Sequence, residues 1–507
     1  MSFRITAVFS LLFFAVSVNA KPMNEVIGST HVDGKYFFTS TDFLNEGADQ
    51  IRSMGSRVIK VWFNDRAATS YPWNSVWPVW NASNPFTLVK LAQTSYYQTL
   101  FSKDFKTFVL LAEDPDVWFG DGMTAAEVQA ETNNFKNLTL YLMETYRGTG
   151  KTFVLQTWEG DNQLRFDTPD GQEPPPERAG YMITWLNARQ DGVDAGRAAA
   201  AAEGITGVTV YNAAEVNHVV KARQGIGITM TNNVIPSTHC DLYSYSAWDS
   251  VEDPALFRLA LDYLESKAPN KLPFNKYNIY VGEYGKGEDP QGDGIAEKEV
   301  VRRATEVALG WGVQYILYWE VYDNTGTQSA NGNGFWLRRR DGSYPPMYSY
   351  FADLLQKGYD RVTFLSSNGY YVVAENGGSD VVNADRLPPA GIWETFTLID
   401  LNGNTLASGD HINLLSTDGH YVVADLGASN RVYANRNTAG TWEDFVISST
   451  NGSPSIAAGT PVSLQSSASS LYVVAEGGGG PGTAGVWANR QGVGAWETFT
   501  FGNNYTN

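Results

Sequence analysis

The sequence predicts two architectures in series: an α/β domain built as a (β/α)8 barrel, then an all-β C-terminal domain built as a β-trefoil. Two observations carry this. Between 36 and 320, strand-like apolar runs alternate with helical periods, and between 362 and 501 one pattern recurs three times. Alternating strands and helices with no Gly-rich dinucleotide loop favour a closed parallel barrel over an open doubly wound sheet. A long repeat marks a supersecondary unit whose copies close one core together.

Residues 1–20, MSFRITAVFSLLFFAVSVNA, have one basic residue (Arg4), an apolar run and V-N-A before Lys21. This reads as a secretory signal peptide, so the mature chain is expected to be exported. No later stretch is long and apolar enough to span a bilayer. The barrel is assigned to 21–357. Its strands are expected at 36–40, 57–63, 107–113, 153–159, 208–215, 240–246, 277–285 and 313–320. Helical periods lie between them, for example at 195–204, 255–268 and 297–312.

Composition narrows the function. A formal charge of −18, with no Lys/Arg cluster beyond 338–340, argues against nucleic acid and anionic membranes as partners. The single cysteine, Cys240, cannot form an internal disulfide and reads as a small buried hydrophobe. The five histidines (His31, His218, His239, His411, His420) are scattered, so no metal or other cofactor is expected. No G-x-S-x-G elbow or Cys/His pairing offers a nucleophile. With 15 Trp and 27 Tyr, an acidic exported chain suits neutral sugar polymers, whose ring faces stack on aromatics while carboxylates bond hydroxyls. A monomer is expected.

In barrels of this kind the reactive groups sit at the carboxyl ends of the strands. Glutamates end or follow the predicted strands at Glu113, Glu159, Glu215, Glu283 and Glu320. Buried carboxylates must be satisfied or functional, and several on one rim point to glycoside hydrolysis by an acid and a second carboxylate. Rim aromatics Trp62, Trp73, Trp77, Trp80 and Trp118 are candidates for sugar subsites or for loop packing.

The residues then resemble glycoside hydrolase clan A, whose members are retaining (β/α)8 enzymes. V-G-E-Y-G (281–285) on the seventh strand resembles the nucleophile motif, which implies that role for Glu283. Trp319 in Y-I-L-Y-W-E (315–320) matches the Trp under the reacting sugar, with Glu320 beside it. Tyr245 resembles the tyrosine that hydrogen-bonds the nucleophile. The clan places its acid/base at the end of the fourth strand after an Asn, whereas this chain has Trp158-Glu159. Asn162 or Asn212 would then replace the missing amide, and Glu215 rivals Glu159 for the role. Lys60 is suited to keep Glu283 ionised, and Trp158 to bury the acid. A non-catalytic sugar-binding protein with a degenerate cleft is the alternative.

The C-terminal domain is assigned to 358–507. Each repeat reads Y-V-V-A-E/D, a Gly-rich turn, A-N/D-R, then W-E-x-F, with Trp393, Trp442 and Trp496 spaced by 49 and 54 residues. The repeats resemble fascin-like β-trefoils and a family of bacterial carbohydrate-binding trefoils that recognise β-glucans. That resemblance implies glycan sites at Glu375 with Trp393, Asp425 with Trp442, and Glu476 with Trp496. The other reading makes the tryptophans core anchors, with Glu394, Glu443 and Glu497 pairing to Arg386, Arg436 and Arg490. The expected partner is a polysaccharide, with β-glucan favoured, and the barrel is expected to work on soluble substrates without this domain.

Overall fold

The computed structural model describes residues 22–503 apart from 116, 272, 275, 276, 290, 291, 326–333, 404, 482 and 483. The expected signal peptide lies outside the described residues. Eight parallel strands close a barrel in chain order: β1 (Ile27–His31), β2 (Val58–Phe63), β3 (Thr107–Ala112), β4 (Lys151–Gln156), β5 (Val208–Val216), β6 (Leu242–Ser246), β7 (Ile279–Tyr284) and β8 (Ile316–Tyr318). No helix among the described residues is long and apolar enough to cross a membrane.

Seven of the eight strands fall where the sequence places them. The first does not: 36–40 is irregular, and the strand is Ile27–His31. IGSTH lacks an apolar run because its neighbours approach too closely for large side chains. A Cβ at Gly28 would lie 2.7 Å from the Val58 carbonyl oxygen, and one at Gly47 would lie 2.3 Å from the His31 ring. Burial lowers the His31 pKa to about 4, so the ring is neutral, with Nε2 2.8 Å from the Phe43 carbonyl.

Inside the barrel, Val58, Val109, Val154, Ala213, Leu242, Tyr280 and Leu317 form an apolar cluster, one residue from each of β2 to β8. Side chains alternate along a strand with period two. Two residues further on, the next layer therefore also points inward, and it holds Lys60, Gln156, Glu215, Ser244 and Gly282. The apolar layer thus carries a polar layer directly beneath the carboxyl face, where ends of strands converge.

The C-terminal domain is a connected twelve-stranded antiparallel sheet. Its strands are β9 (Gly358–Leu365), β10 (Tyr371–Ala374), β11 (Asp380–Arg386), β12 (Phe396–Asp400), β13 (Asp410–Leu415), β14 (Tyr421–Asp425), β15 (Arg431–Arg436), β16 (Phe445–Ser449), β17 (Pro461–Ser466), β18 (Tyr472–Ala475), β19 (Val486–Arg490) and β20 (Phe499–Asn503). Each repeat supplies four strands and the same four core positions. Phe364, Val372, Val382 and Phe396 in the first correspond to Leu414, Val422, Val432 and Phe445, then to Leu464, Val473, Val486 and Phe499, around a void of about 30 Å³.

The C-terminal domain has its own apolar core, and a few of its residues also join the barrel's. Tyr359, Ile399, Leu415 and Tyr421 belong to the same buried apolar cluster as the barrel. The barrel helix Ile295–Trp311 lies against the C-terminal domain at Gly310, where a Cβ would meet the Ser416 carbonyl oxygen at 2.3 Å. The final carbonyls of that helix are capped from the other domain: Arg361 donates to Gly310 at 2.5 Å and Thr397 to Leu309 at 2.8 Å. Buried Glu306 binds Arg302 at 2.6 Å and Arg303 at 2.8 Å, and accepts from Tyr421 at 2.9 Å.

Candidate active site

Lys60 is the centre of the polar layer. Its ammonium lies 2.8 Å from Glu283 Oε1, 3.1 Å from Glu215 Oε1 and 3.2 Å from the Gly282 carbonyl oxygen. Burial opposes its charge, but Glu215 and Glu283 outweigh burial and hold the ammonium above its ordinary range. Gly282 makes the arrangement possible. A Cβ there would lie 2.0 Å from Ser244 Oγ and 2.6 Å from Glu215 Oε1.

The two rival glutamates differ sharply. Glu215 is fully buried and fully engaged. Its Oε1 accepts from Lys60, from Gln156 at 2.8 Å and from Ser244 at 2.8 Å, and its Oε2 accepts from the Glu159 backbone N–H at 3.0 Å. Glu159 lies three residues beyond β4 and binds no cation among the described residues; its carboxyl accepts from Asn162. Burial, then the negative charges of Glu283 and Glu215, push the Glu159 carboxyl up to about 8. Burial also raises Glu283, to about 7, with Lys60 pulling the other way. Lys60 bonds Glu283 directly and favours its charged form, whereas no cation bonds Glu159 among the described residues, so within this coupled pair the proton is favoured on Glu159.

One group touches both. Trp248 Nε1 donates to Glu283 Oε2 at 3.3 Å and also interacts with the Glu159 carboxyl. Neither its ring nor its position was singled out by the sequence. The expected donor, Tyr245, is buried elsewhere: its hydroxyl meets Asp249 Oδ1 and, at 2.6 Å, Ser250 Oγ. Tyr245 pairs with Val281, two residues short of Glu283, and Ser246 pairs with Glu283 after a register shift. Trp248, three residues after Tyr245, supplies the bond instead.

The other expected residues divide. Trp319 is half-buried, perpendicular to Trp248 with centroids 6.4 Å apart, and its peptide bond to Glu320 is cis. Glu320 is buried and pushed well above the carboxylate range by burial, reinforced by Asp323; it accepts from the Asn324 backbone at 2.9 Å. Trp62 donates to Asp33 at 3.1 Å and stands 6.4 Å from Trp158 across a cleft of about 620 Å³. Asn212 is not at the site: it lies inside the barrel wall, 3.5 Å from Cys240 Sγ. Asn162 is the amide at the acid. Trp73, Trp77 and Trp80 pack on Phe43, Tyr96 and Phe86 rather than facing this cleft. Among the described residues, no cluster fit for a metal ion is found.

In the C-terminal repeats, the acids after Y-V-V-A are each paired to arginine: Glu375 to Arg386 at 2.6 Å, Asp425 to Arg436 at 2.7 Å and Glu476 to Arg490 at 2.8 Å. The W-E-x-F glutamates sit farther from the same arginines, at 3.8, 3.9 and 3.6 Å. They instead accept from the backbone of the preceding loop, at Gly391, Gly440 and Gly494. Trp442 and Trp496 are exposed, and Trp393 is half-buried.

No family model and no curated protein matches the chain. Among solved structures it is similar to a monomeric β-xylosidase from Caulobacter crescentus CB15, at 12% identity over 69% of this chain and 75% of that one, TM-score 0.43. It is also similar to a family 39 glycoside hydrolase from Bacteroides cellulosilyticus WH2, at 13% identity over 77% of this chain and 73% of that one, TM-score 0.39. The designed threefold symmetric protein ThreeFoil matches at 14% identity over 28% of this chain and 98% of its own length, TM-score 0.24. All three likenesses are remote.

Proposed function

We propose that the chain is a secreted β-glycoside hydrolase working by retaining double displacement, with Glu283 as nucleophile and Glu159 as acid/base. The observation that carries this is the asymmetry around Trp248. One carboxyl it touches, Glu283, sits on the Lys60 ammonium, and the other, Glu159, holds its proton near neutrality. Two carboxyls with opposed protonation are what acid-assisted glycoside cleavage requires. Glu159 gives its proton to the glycosidic oxygen while a Glu283 oxygen bonds the anomeric carbon and the leaving alcohol departs. Glu159, now a carboxylate, takes a proton from water. The water oxygen bonds the anomeric carbon and the Glu283 ester breaks, so both groups return to their starting states. Glu215 orients Lys60 and the Glu159 backbone.

The C-terminal domain, on this reading, is a β-trefoil that holds a β-glucan through its three repeats. Each presents a carboxylate, an arginine and a tryptophan, and three weak contacts on one scaffold raise retention without any being tight. Residues 1–20 direct export. The decisive experiment is Glu283→Gln. The isostere should still bind glycan but lose turnover by about 10³-fold or more, because it cannot form the ester. Near-normal hydrolysis by the variant would end the assignment.

A further inference from the structure

We propose that Trp118 and Phe166, at the outer end of the barrel cleft, form a distal sugar-binding station for a neutral β-linked oligosaccharide. The inference rests on the glycosidase reading and deepens it, by assigning the enzyme a preference for chains over disaccharides. The cleft of about 620 Å³ runs from Trp62, Trp158 and Asn162 to Trp118 and Phe166. Its inner end is joined to the chemistry, since Asn162 binds the Glu159 carboxyl. Its outer end is aromatic and open. Phe166 is 54% exposed and Trp118 37%, with ring centroids 5.2 Å apart and planes at 71°.

These rings are held in place without being buried. Trp118 rests on buried Phe119 at 4.6 Å, which stacks on Trp185 at 5.2 Å. Gly120 gives the indole its place: a Cβ there would lie 2.3 Å from Trp118 Nε1. Packing therefore fixes the ring from below and leaves the cleft side free. Large apolar surface kept exposed in a concave site signals a ligand. Along the cleft, Asp33, Asp65 and Asp114 outnumber Arg66, while burial raises the Glu113 carboxyl, which accepts from Gln163 at 2.7 Å. This acidic excess repels uronic acids and sulfated sugars but supplies acceptors for hydroxyls. Flat C–H faces on aromatic rings with hydroxyl edges on carboxylates describe a neutral pyranose chain.

The test uses the full chain carrying Glu283→Gln, with cello- and laminari-oligosaccharides of two and six glucose units as probes in calorimetry. At least one hexasaccharide should bind roughly tenfold more tightly than its disaccharide. Adding Trp118→Ala with Phe166→Ala should erase that gain and leave disaccharide affinity unchanged. The inference is overturned if neither hexasaccharide outbinds its disaccharide, if the double variant keeps the gain, or if it loses affinity for both lengths equally. Hydrolysis is scored separately with Glu283 intact. A binding gain without hydrolysis would sink the glycosidase reading and leave the station standing.

Discussion

Both domains set carboxylates against cations, in opposite surroundings. In the barrel, the Lys60, Glu215 and Glu283 side chains are at most 3% exposed. In the C-terminal domain, the arginines paired to Glu375, Asp425 and Glu476 are 33–36% exposed, and their partners 17–30%. Water screens the outer pairs, so each contributes little to stability. Burial removes that screening at the barrel mouth, where it raises Glu159 and Glu283 and makes them respond to each other's charge. The same residue types thus give reactivity in one place and a thrice-repeated surface feature in the other. The difference lies in the layer beneath, because an apolar barrel fill keeps water from the first set.

Three changes probe this contrast. The largest effect is expected from removing 358–507. That deletion uncovers the apolar barrel surface packed against Tyr359, Ile399, Leu415 and Tyr421, so the truncated barrel should be insoluble or lose cooperative unfolding by circular dichroism. A soluble barrel with the parent's melting curve would show that the domains are independent after all. Next comes Lys60→Met, which strands two buried carboxylates. It should cost about 3–5 kcal/mol in urea unfolding. A change below about 1 kcal/mol would place Lys60 in the same class as the surface arginines. The smallest is Asp425→Ala, expected to alter stability by under about 1 kcal/mol. Retention on insoluble β-glucan should fall only a few-fold, since two repeats remain. Unchanged retention in a variant lacking all three acids would make those residues structural.

Much of this was legible in the sequence, and the gaps have physical causes. Strand-end glutamates survive as a signal because an acid closing an apolar strand is conspicuous, and Glu283 and Glu159 both stand out that way. The first strand carries no apolar run because close backbone approach at Gly28 leaves room only for a small residue there. Tyr245 follows inward-facing Ser244 and so turns outward by alternation, while the donor Trp248 lies beyond the end of β6, where alternation gives no guide. Asn212 was a reasonable substitute by residue type, but its position along β5 turns it away from the mouth. The close contact between the domains was not legible either: a Cβ at Gly310 would meet the Ser416 carbonyl oxygen at 2.3 Å, and one at Gly419 would meet the Val307 backbone at 2.7 Å. Those glycines read as ordinary turn or helix residues until the facing backbone is known.

The central claim is that Glu159, not Glu215, exchanges protons with the glycosidic oxygen while Glu283 carries the sugar. In the parent, kcat/KM should fall on the acid side as Glu283 gains a proton and on the alkaline side as Glu159 loses one, with both limbs displaced above the ordinary carboxylate range by burial. The direct measurement is turnover of a dinitrophenyl β-glycoside by Glu159→Ala and by Glu215→Ala, with and without azide. For Glu159→Ala the account predicts retained cleavage of this activated substrate, loss of the alkaline limb, and acceleration by azide with a β-glycosyl azide as product. Azide rescue of Glu215→Ala alone, or an α-glycosyl azide from either variant, would contradict it.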